Sequence, residues 1–376
     1  MKIAMFYHSL ASDWNHGNAH FIRGIVRELL RRGHDVKVYE PGYGWSLSNL
    51  VKDHGCEMVS EFKRYYPTLI PNFYNPHNPD YKVILKDVDL VIAHEWNPHE
   101  VIAELGKYKA TFGYKLLFHD THHRAVSDPD SMSQYDFSHY DGALVFGEIL
   151  RQIYTKDGWV RHVWNWHEAA DTELFHPLPE VEKQGDLVWI GNWGDDERTA
   201  ELQEFLIEPV KKLGLKAKVY GVRYPETALK ALKEAGIEYG GYLPNYKVPE
   251  TFAKYRVTVH VPRRPYVQML PGIPTIRPFE ALACGIPLIS SPWHDTEKLF
   301  TPGRDFVMVN TGSEMQSALL RVLHDEEFAQ HLSHAGPHAI HGRHTCAVRV
   351  DELETILSDI GLSHEAIHPK LNMLNT

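Results

Sequence analysis

A chain of 376 residues, 43% apolar and 23% charged, is long enough for two domains with a core each and belongs with globular rather than disordered or fibrous proteins. Its net charge of −10 is spread over both halves: residues 1–170 hold 18 Lys/Arg against 21 Asp/Glu, and residues 171–376 hold 21 against 28, which argues against nucleic acid as the main partner. Cys56, Cys284 and Cys346 are too far apart for a disulfide framework or a zinc pattern. With a quickly polar N-terminus and no apolar run near the roughly 18 residues of a membrane span, a cytoplasmic location without a transmembrane segment is expected.

Residues 2–8 form an apolar run, expected to be a buried first strand. A polar turn over 9–17 leads into a helix over 18–32 with apolar residues at Phe21, Ile22, Ile25, Val26, Leu29 and Leu30. Gly33 closes that helix and 34–39 gives the next strand, so the chain opens as a βαβ unit with a parallel sheet. Gly17 stands alone without a dinucleotide fingerprint and is placed on the acceptor side. Arg23, Arg27 and Arg31 share one helix face, read as solvated, with a peripheral membrane or partner contact as the alternative. His20 opens the helix, where the positive end of the dipole favours a neutral imidazole, the form a general base needs.

Strands over 88–94 and 114–119 end in His94-Glu95-Trp96-Asn97 and Asp120-Thr121-His122-His123. Ligand and catalytic groups of open α/β sheets gather at such ends, although each histidine can equally be a helix cap or a partner of loop backbone. Asp128-Pro129-Asp130 has the spacing of a metal-holding D-x-D, but its proline and loop setting favour a turn. Strands over 140–147 and 160–166, with a helix over 148–156 between them, complete the first sheet.

A second α/β pattern starts with an apolar strand at 186–190, then Gly191-Asn192-Trp193-Gly194 and a helix from Asp195 to about Leu213. It repeats with a strand at 217–220, Gly221, a helix to Ala235 and a strand before Gly240-Gly241-Tyr242-Leu243-Pro244. Gly191 and Gly221 allow close backbone approach to a ligand or simply make tight turns. Residues 262–292 read as a strand end, a Pro/Gly-rich loop, a short helix opening at Pro278 or Phe279, and the strand 287–290. Free N–H groups at that helix start, with Arg277 beside them, suit a phosphate, and Glu280 one turn on suits a ribose diol. Arg198 and Arg263 are further cations for a diphosphate, though Arg198 can instead pair with Glu197 or Glu201 on its own helix. A strand at 306–309 and helices over 313–323, 326–335 and from Cys346 to about Ile360 follow. Gly336-Pro337 and Gly342 break the spacing of His334, His338, His341 and His344, which are read as solvated loop residues rather than metal ligands. Beyond Gly361 the tail is expected to be poorly ordered.

The run F-E-A-L-A-C-G-I-P-L-I resembles the second half of the donor-site signature of glycosyltransferases with the GT-B fold, and Arg277 three residues before the Glu resembles the CgeB-like (spore maturation type) branch. R-R-G-H-D-V-K-V and W-H-E-A-A-D (166–171) resemble the second-strand entry and the interdomain crossing of such enzymes. The resemblance implies two doubly wound Rossmann-like domains facing a central cleft, 1–168 on the acceptor side and 169–345 on the donor side, with 346–376 carrying a C-terminal helix that returns to the first domain. It implies Glu280 on the ribose, Arg277 and Arg263 on the diphosphate, Pro278 and Phe279 at the helix start, the Gly191-Asn192 loop at the phosphates, and Leu243 along the base. It also implies a nucleotide-diphosphate sugar as donor substrate, no cofactor, no metal, and His20 oriented by Asp120 as the catalytic pair. His94, His119, His122 and His123 compete for that role, and His94 and Glu95 lie on the acceptor side. The family-4 pattern carries a second Glu where this chain has Gly272. The activity implied is a glycosyltransferase acting on an acceptor hydroxyl; an epimerase or hydrolase on the same fold, or a non-catalytic sugar-nucleotide binder, are the alternatives.

Overall fold

The computed structural model describes residues 1–178 and 181–362, so the expectation for the tail lies outside the described residues. The chain divides into two compact units, the first made of Met1–Asp13, Phe21–His167 and the chain from Cys346 on, the second of Trp14–His20 and Glu168–Thr345. Residues 14–20 were expected in the first domain; they pack with the second, and the helix Ala19–Arg31 starts in one unit and continues in the other.

In the first unit the strands are β1 Lys2–Phe6, β2 Asp35–Pro41, β3 Pro71–Tyr74, β4 Leu90–His94, β5 Lys115–Asp120, β6 Gly142–Val145 and β7 Val163–Asn165. They form one parallel sheet in the order β3-β2-β1-β4-β5-β6-β7. β4 is buried along its whole length, as a strand covered on both faces must be, which is why it reads as a continuous apolar run. The helices Trp45–His54 and Glu57–Tyr65 and strand β3 have no counterpart in the sequence reading. β3 is a short edge strand opened by a proline, a position where a missing N–H costs nothing, and its Phe73 is exposed. The arginine face expected to be solvated is so only at its far end, where Arg31 is exposed; Arg27 is half-buried. Arg23 is fully buried, donating to Asp13 Oδ2 at 2.7 Å and to the carbonyls of Leu10 and Ala11, and it lies over the Phe62 ring. The helix Cys346–Asp359 belongs to this unit, where Arg349 accepts from Trp166 through its carbonyl and donates to the His167 carbonyl.

The second unit holds β8 Gly185–Ile190, β9 Ala217–Tyr220, β10 Glu238–Tyr239, β11 Tyr255–His260, β12 Leu288–Ser290 and β13 Val307–Met308, again all parallel, in the order β10-β9-β8-β11-β12-β13. Its core is built from Leu187, Val219, Val257 and Ile289 of the strands against Leu206, Met315 and Leu319 of the helices. In both sheets the strand order reverses beside the first strand, β1 next to β4 and β8 next to β11, and the crevice outside the strand ends at that reversal is where open α/β sheets take ligands.

One helix expectation fails outright. Glu326–Arg343 is a single helix that runs through Pro337. Gly336 is what allows it: a Cβ there would stand 3.0 Å from the Leu282 carbonyl, so the missing side chain lets this helix cross the helix Ile276–Ala283 closely. His334, His338 and His341 are exposed on it, whereas His344 is buried and donates to the Leu299 carbonyl at 2.9 Å rather than standing in solvent. Asp128 caps the short helix Pro129–Met132 by accepting from the Ser131 N–H.

Candidate active site

The helix Ile276–Ala283 starts two residues before the expected point, with Thr275 as N-cap. Pro278 therefore lies in the first turn, where its missing N–H would have no intrahelical partner anyway. Arg277 and Glu280 are then one turn apart on the same face and form an ion pair, with Arg277 Nη1 on Glu280 Oε2. Glu280 is fully buried. Its Oε1 accepts from Asn245 Nδ2 at 2.6 Å and from His20 Nδ1 at 3.0 Å. Burial alone would push this carboxyl up, but the charge of Arg277 and the bonds from His20 and Asn245 outweigh it, and its pKa is held below the usual value.

His20 has both ring nitrogens engaged. The backbone N–H of Asp171 donates to Nε2 at 2.7 Å, so Nε2 carries no proton and Nδ1 is the donor toward Glu280. Phe175 stacks on the ring at 3.8 Å between centroids. The partners of the two His20 ring nitrogens, Glu280 and Asp171, both belong to the same unit as His20. His20 thus holds Glu280 through Nδ1, and its Nε2 lone pair is taken up by the Asp171 N–H. Gly17, expected on the acceptor side, belongs to the same cluster: a Cβ on it would touch Ile276 Cγ2 at 3.4 Å, at the start of the donor helix.

The β8/β11 crevice supplies the remaining cations. Gly191 follows β8 and Gly221 follows β9. A Cβ on Gly221, at φ +153, would overlap the Gly191 carbonyl, so the two glycines pack backbone on backbone. Asn192 ties the loops together, its Oδ1 accepting from the Val222 N–H at 2.8 Å and its amide bonding Asn15. Arg198 does not pair with Glu197 or Glu201. Its guanidinium donates to the carbonyls of Val261, Trp193 and Asn192, while Arg263 takes Glu197 and Arg264 takes Glu201. Burial, then the charges of Arg263 and Arg277, depress the Arg198 pKa to about 9. Such mutual repulsion among cations is relieved by an anion. His260, at the end of β11, bonds Ser290 and Thr275 and is pushed down to about 3 by burial and by Arg198 and Arg277, so it is neutral beneath the helix start. Phe279 is core, packed on Phe300 and His344, and Leu243 is partly exposed on the loop before Asn245. Gly272 has φ +95 and a Cβ there would overlap Thr296 Oγ1, so a glutamate at this position is incompatible with the backbone.

The first unit brings together the other expected residues. His94 ends β4 and bonds Thr121 Oγ1 at 3.0 Å; Glu95 Oε1 accepts from the Thr121 N–H at 3.0 Å. Asp120 ends β5 and accepts from Tyr154 Oη at 2.7 Å and from the His122 N–H at 3.0 Å. Burial and the neighbouring Asp120 drive the Glu95 pKa well above the usual range, and burial also raises Asp120, so a proton is held by this pair. His122 is partly exposed and edge-on to Trp96.

A glycosyl transferase-like family model matches residues 198–355, which contain Arg198, Asn245, Arg263, Arg277 and Glu280. A search of curated protein sequences gives no match. Among solved structures, an alpha-glucosyltransferase in complex with UDP and a 13-mer DNA aligns with a TM-score of 0.68 at 13% identity, over 95% of this chain and 99% of that one. Sucrose-phosphate synthase from Thermosynechococcus elongatus gives 0.64 at 14%, and HepE of Anabaena, in complex with UDP and glucose, 0.64 at 11%, each over 96% of this chain and 100% of theirs. The chain has the GT-B fold. The GT-B likeness places its glycosyl transferase-like segment in the second unit for most of its length.

Sequence reasoning missed Asn245, Glu168 and Asn15 of the second unit. Asn245 follows the expected base-reading segment directly, and Glu168 sits inside W-H-E-A-A-D, so each had a signal in its neighbours. Asn15 had none beyond its place in a polar turn. Among the described residues no group of three or more His, Cys, Asp or Glu could hold a metal ion, and no helix is long and apolar enough to cross a membrane.

Proposed function

We propose that the protein is a Leloir-type glycosyltransferase that moves a sugar from a nucleotide-diphosphate sugar to an acceptor hydroxyl. The observation that carries this reading is the Arg277–Glu280 pair on the first turns of the helix Ile276–Ala283, backed by Asn245 and His20. On donor binding the diphosphate draws Arg277 away from Glu280, and the freed Oε2 accepts from the ribose diol. Arg263 and Arg277, with Arg198 fixing the loop between them, stabilise the charge that develops on the departing nucleoside diphosphate without a metal ion. Chelation with EDTA is expected to leave turnover unchanged.

His122, partly exposed and set in place by its backbone N–H donating to Asp120 Oδ1, is the side chain we assign to accept the proton of the acceptor hydroxyl. His122→Asn is expected to lower kcat by about a hundredfold or more while the Kd for donor stays constant. Arg277 three residues before Glu280 supports the CgeB-like branch, and the composition supports a cytoplasmic enzyme. The structures of HepE with UDP and glucose make UDP-glucose the first donor to try. The acidic balance of both halves favours an acceptor other than DNA.

The deciding experiment is thermal stability against UDP, GDP, ADP and their sugars, followed by release of nucleoside diphosphate. One nucleotide is expected to raise the Tm by linkage, with the effect reduced in Glu280→Ala and Arg277→Ala. The backbone of Gly272, which admits no glutamate, favours a second reading as a sugar-nucleotide binder without turnover. Stabilisation by a nucleotide sugar with no product from any acceptor would decide for it.

A further inference from the structure

Glu168 takes no part in the chemistry assigned above, yet it is only 2% exposed. The segment that follows it is pinned twice: the Ala170 N–H donates to the His344 carbonyl at 2.9 Å, and the Asp171 N–H is the one that fixes His20. Glu168 Oε2 has no hydrogen-bond partner among the described residues. Three residues on, Asp171 holds His20, and His20 donates to Glu280, so the segment that carries Glu168 runs beside the Glu280 cluster, whose charges act on it. Two buried carboxyls in each other's field do not both ionise. Glu280, with Arg277, His20 and Asn245 donating to it, keeps the charge, whereas burial and Glu280 raise the Glu168 pKa well above the ordinary range and leave it the proton. A neutral carboxyl presents an O–H donor, and buried donors are normally matched by an acceptor.

We propose that Glu168 is a substrate-binding residue of the donor site, whose carboxylic O–H donates a hydrogen bond to a phosphate or sugar oxygen of the nucleotide sugar held by Glu280 and Arg277. The inference rests on the donor-site reading given above. A carboxylate in this place would repel the diphosphate; the neutral acid instead adds a directional contact.

The test is calorimetric titration of the full chain with UDP and with UDP-glucose, or with the nucleotide pair picked out by the stability screen. Glu168→Gln keeps an N–H donor and is expected to hold Kd within about threefold. Glu168→Met fills similar space without a donor and is expected to weaken Kd about tenfold. A loss seen with UDP-glucose alone identifies a sugar oxygen, and a loss seen with both ligands identifies a phosphate; either supports the assignment. An unchanged Kd in Glu168→Met, with Arg277→Ala weakened beside it, would overturn the Glu168 assignment and leave the donor site standing. Turnover abolished in Glu168→Gln with Kd intact would also overturn it, since the ionised form would then be the working one. Absence of binding of every nucleotide by the native chain would overturn the donor site itself and Glu168 with it. Glu168→Ala serves as a third variant should the Met side chain prevent folding.

Discussion

Glu280 in the second unit and Glu95 in the first are both fully buried, yet their pKa values are pushed in opposite directions. Around Glu280 the fold supplies donors: Arg277 on one oxygen, His20 and Asn245 on the other. Around Glu95 it supplies a second carboxyl, Asp120, with Arg124 acting from further off and its guanidinium committed to the Glu95 carbonyl, Ser131 and Tyr135. Burial is therefore not what decides ionisation here. The number and sign of the partners that the backbone delivers decides it, and a site that must hold an anion beside a carboxylate needs the first arrangement.

The sharpest way to break the comparison is to take the cation from Glu280. Arg277→Ala leaves a buried carboxylate with neutral donors only, and is expected to cost about 3 kcal/mol of stability in urea unfolding, the low end for a broken buried pair because the Arg277 side chain is 27% exposed. Donor binding should fall with it. A smaller effect is expected from His20→Ala, about 2 kcal/mol, because Glu280 loses one donor and the Asp171 N–H loses its acceptor. His20→Asn places an N–H near the former Nδ1 and should recover part of that loss. Steady-state kinetics separates the roles: a holder of Glu280 raises the donor KM, whereas a general base would drop kcat by about a hundredfold or more at constant KM.

What could be read in advance follows the range of the interactions. Arg277 and Glu280 are three residues apart, so a helix start in the sequence is enough to pair them. The buried strands β1, β4 and β5 announce themselves as apolar runs. His20 and Glu280 are 260 residues apart, and their contact exists because residues 14–20 pack with the second unit, which no local pattern encodes. The helix through Pro337 was hidden for a related reason. Propensity breaks it there, while close packing of Gly336 on Leu282 holds it. The edge strand β3 was missed because four residues, one of them proline, carry no periodicity to read.

The mildest prediction sharpens the comparison from the other side. If Glu95 holds a proton, Glu95→Gln exchanges one neutral group for another of the same shape and should change stability near pH 4.5 by less than about 1 kcal/mol, whereas the same exchange at Glu280 would discard an ion pair. The pH dependence carries the sign. A carboxyl whose folded pKa is raised binds its proton more tightly in the native state, so its contribution is full below the unfolded value of 4.5 and is lost as pH climbs toward the folded pKa. Glu280, with its folded pKa lowered, does the reverse: its contribution is full above 4.5 and is lost as the solution is acidified through the folded value. Unfolding of the native chain and of Glu95→Gln, followed from pH 4.5 upward, should therefore diverge, with the native chain losing stability that the variant keeps. Parallel curves would mean that Glu95 is ionised and that Asp120 carries the proton instead, and Asp120→Asn would then be the variant that flattens the slope.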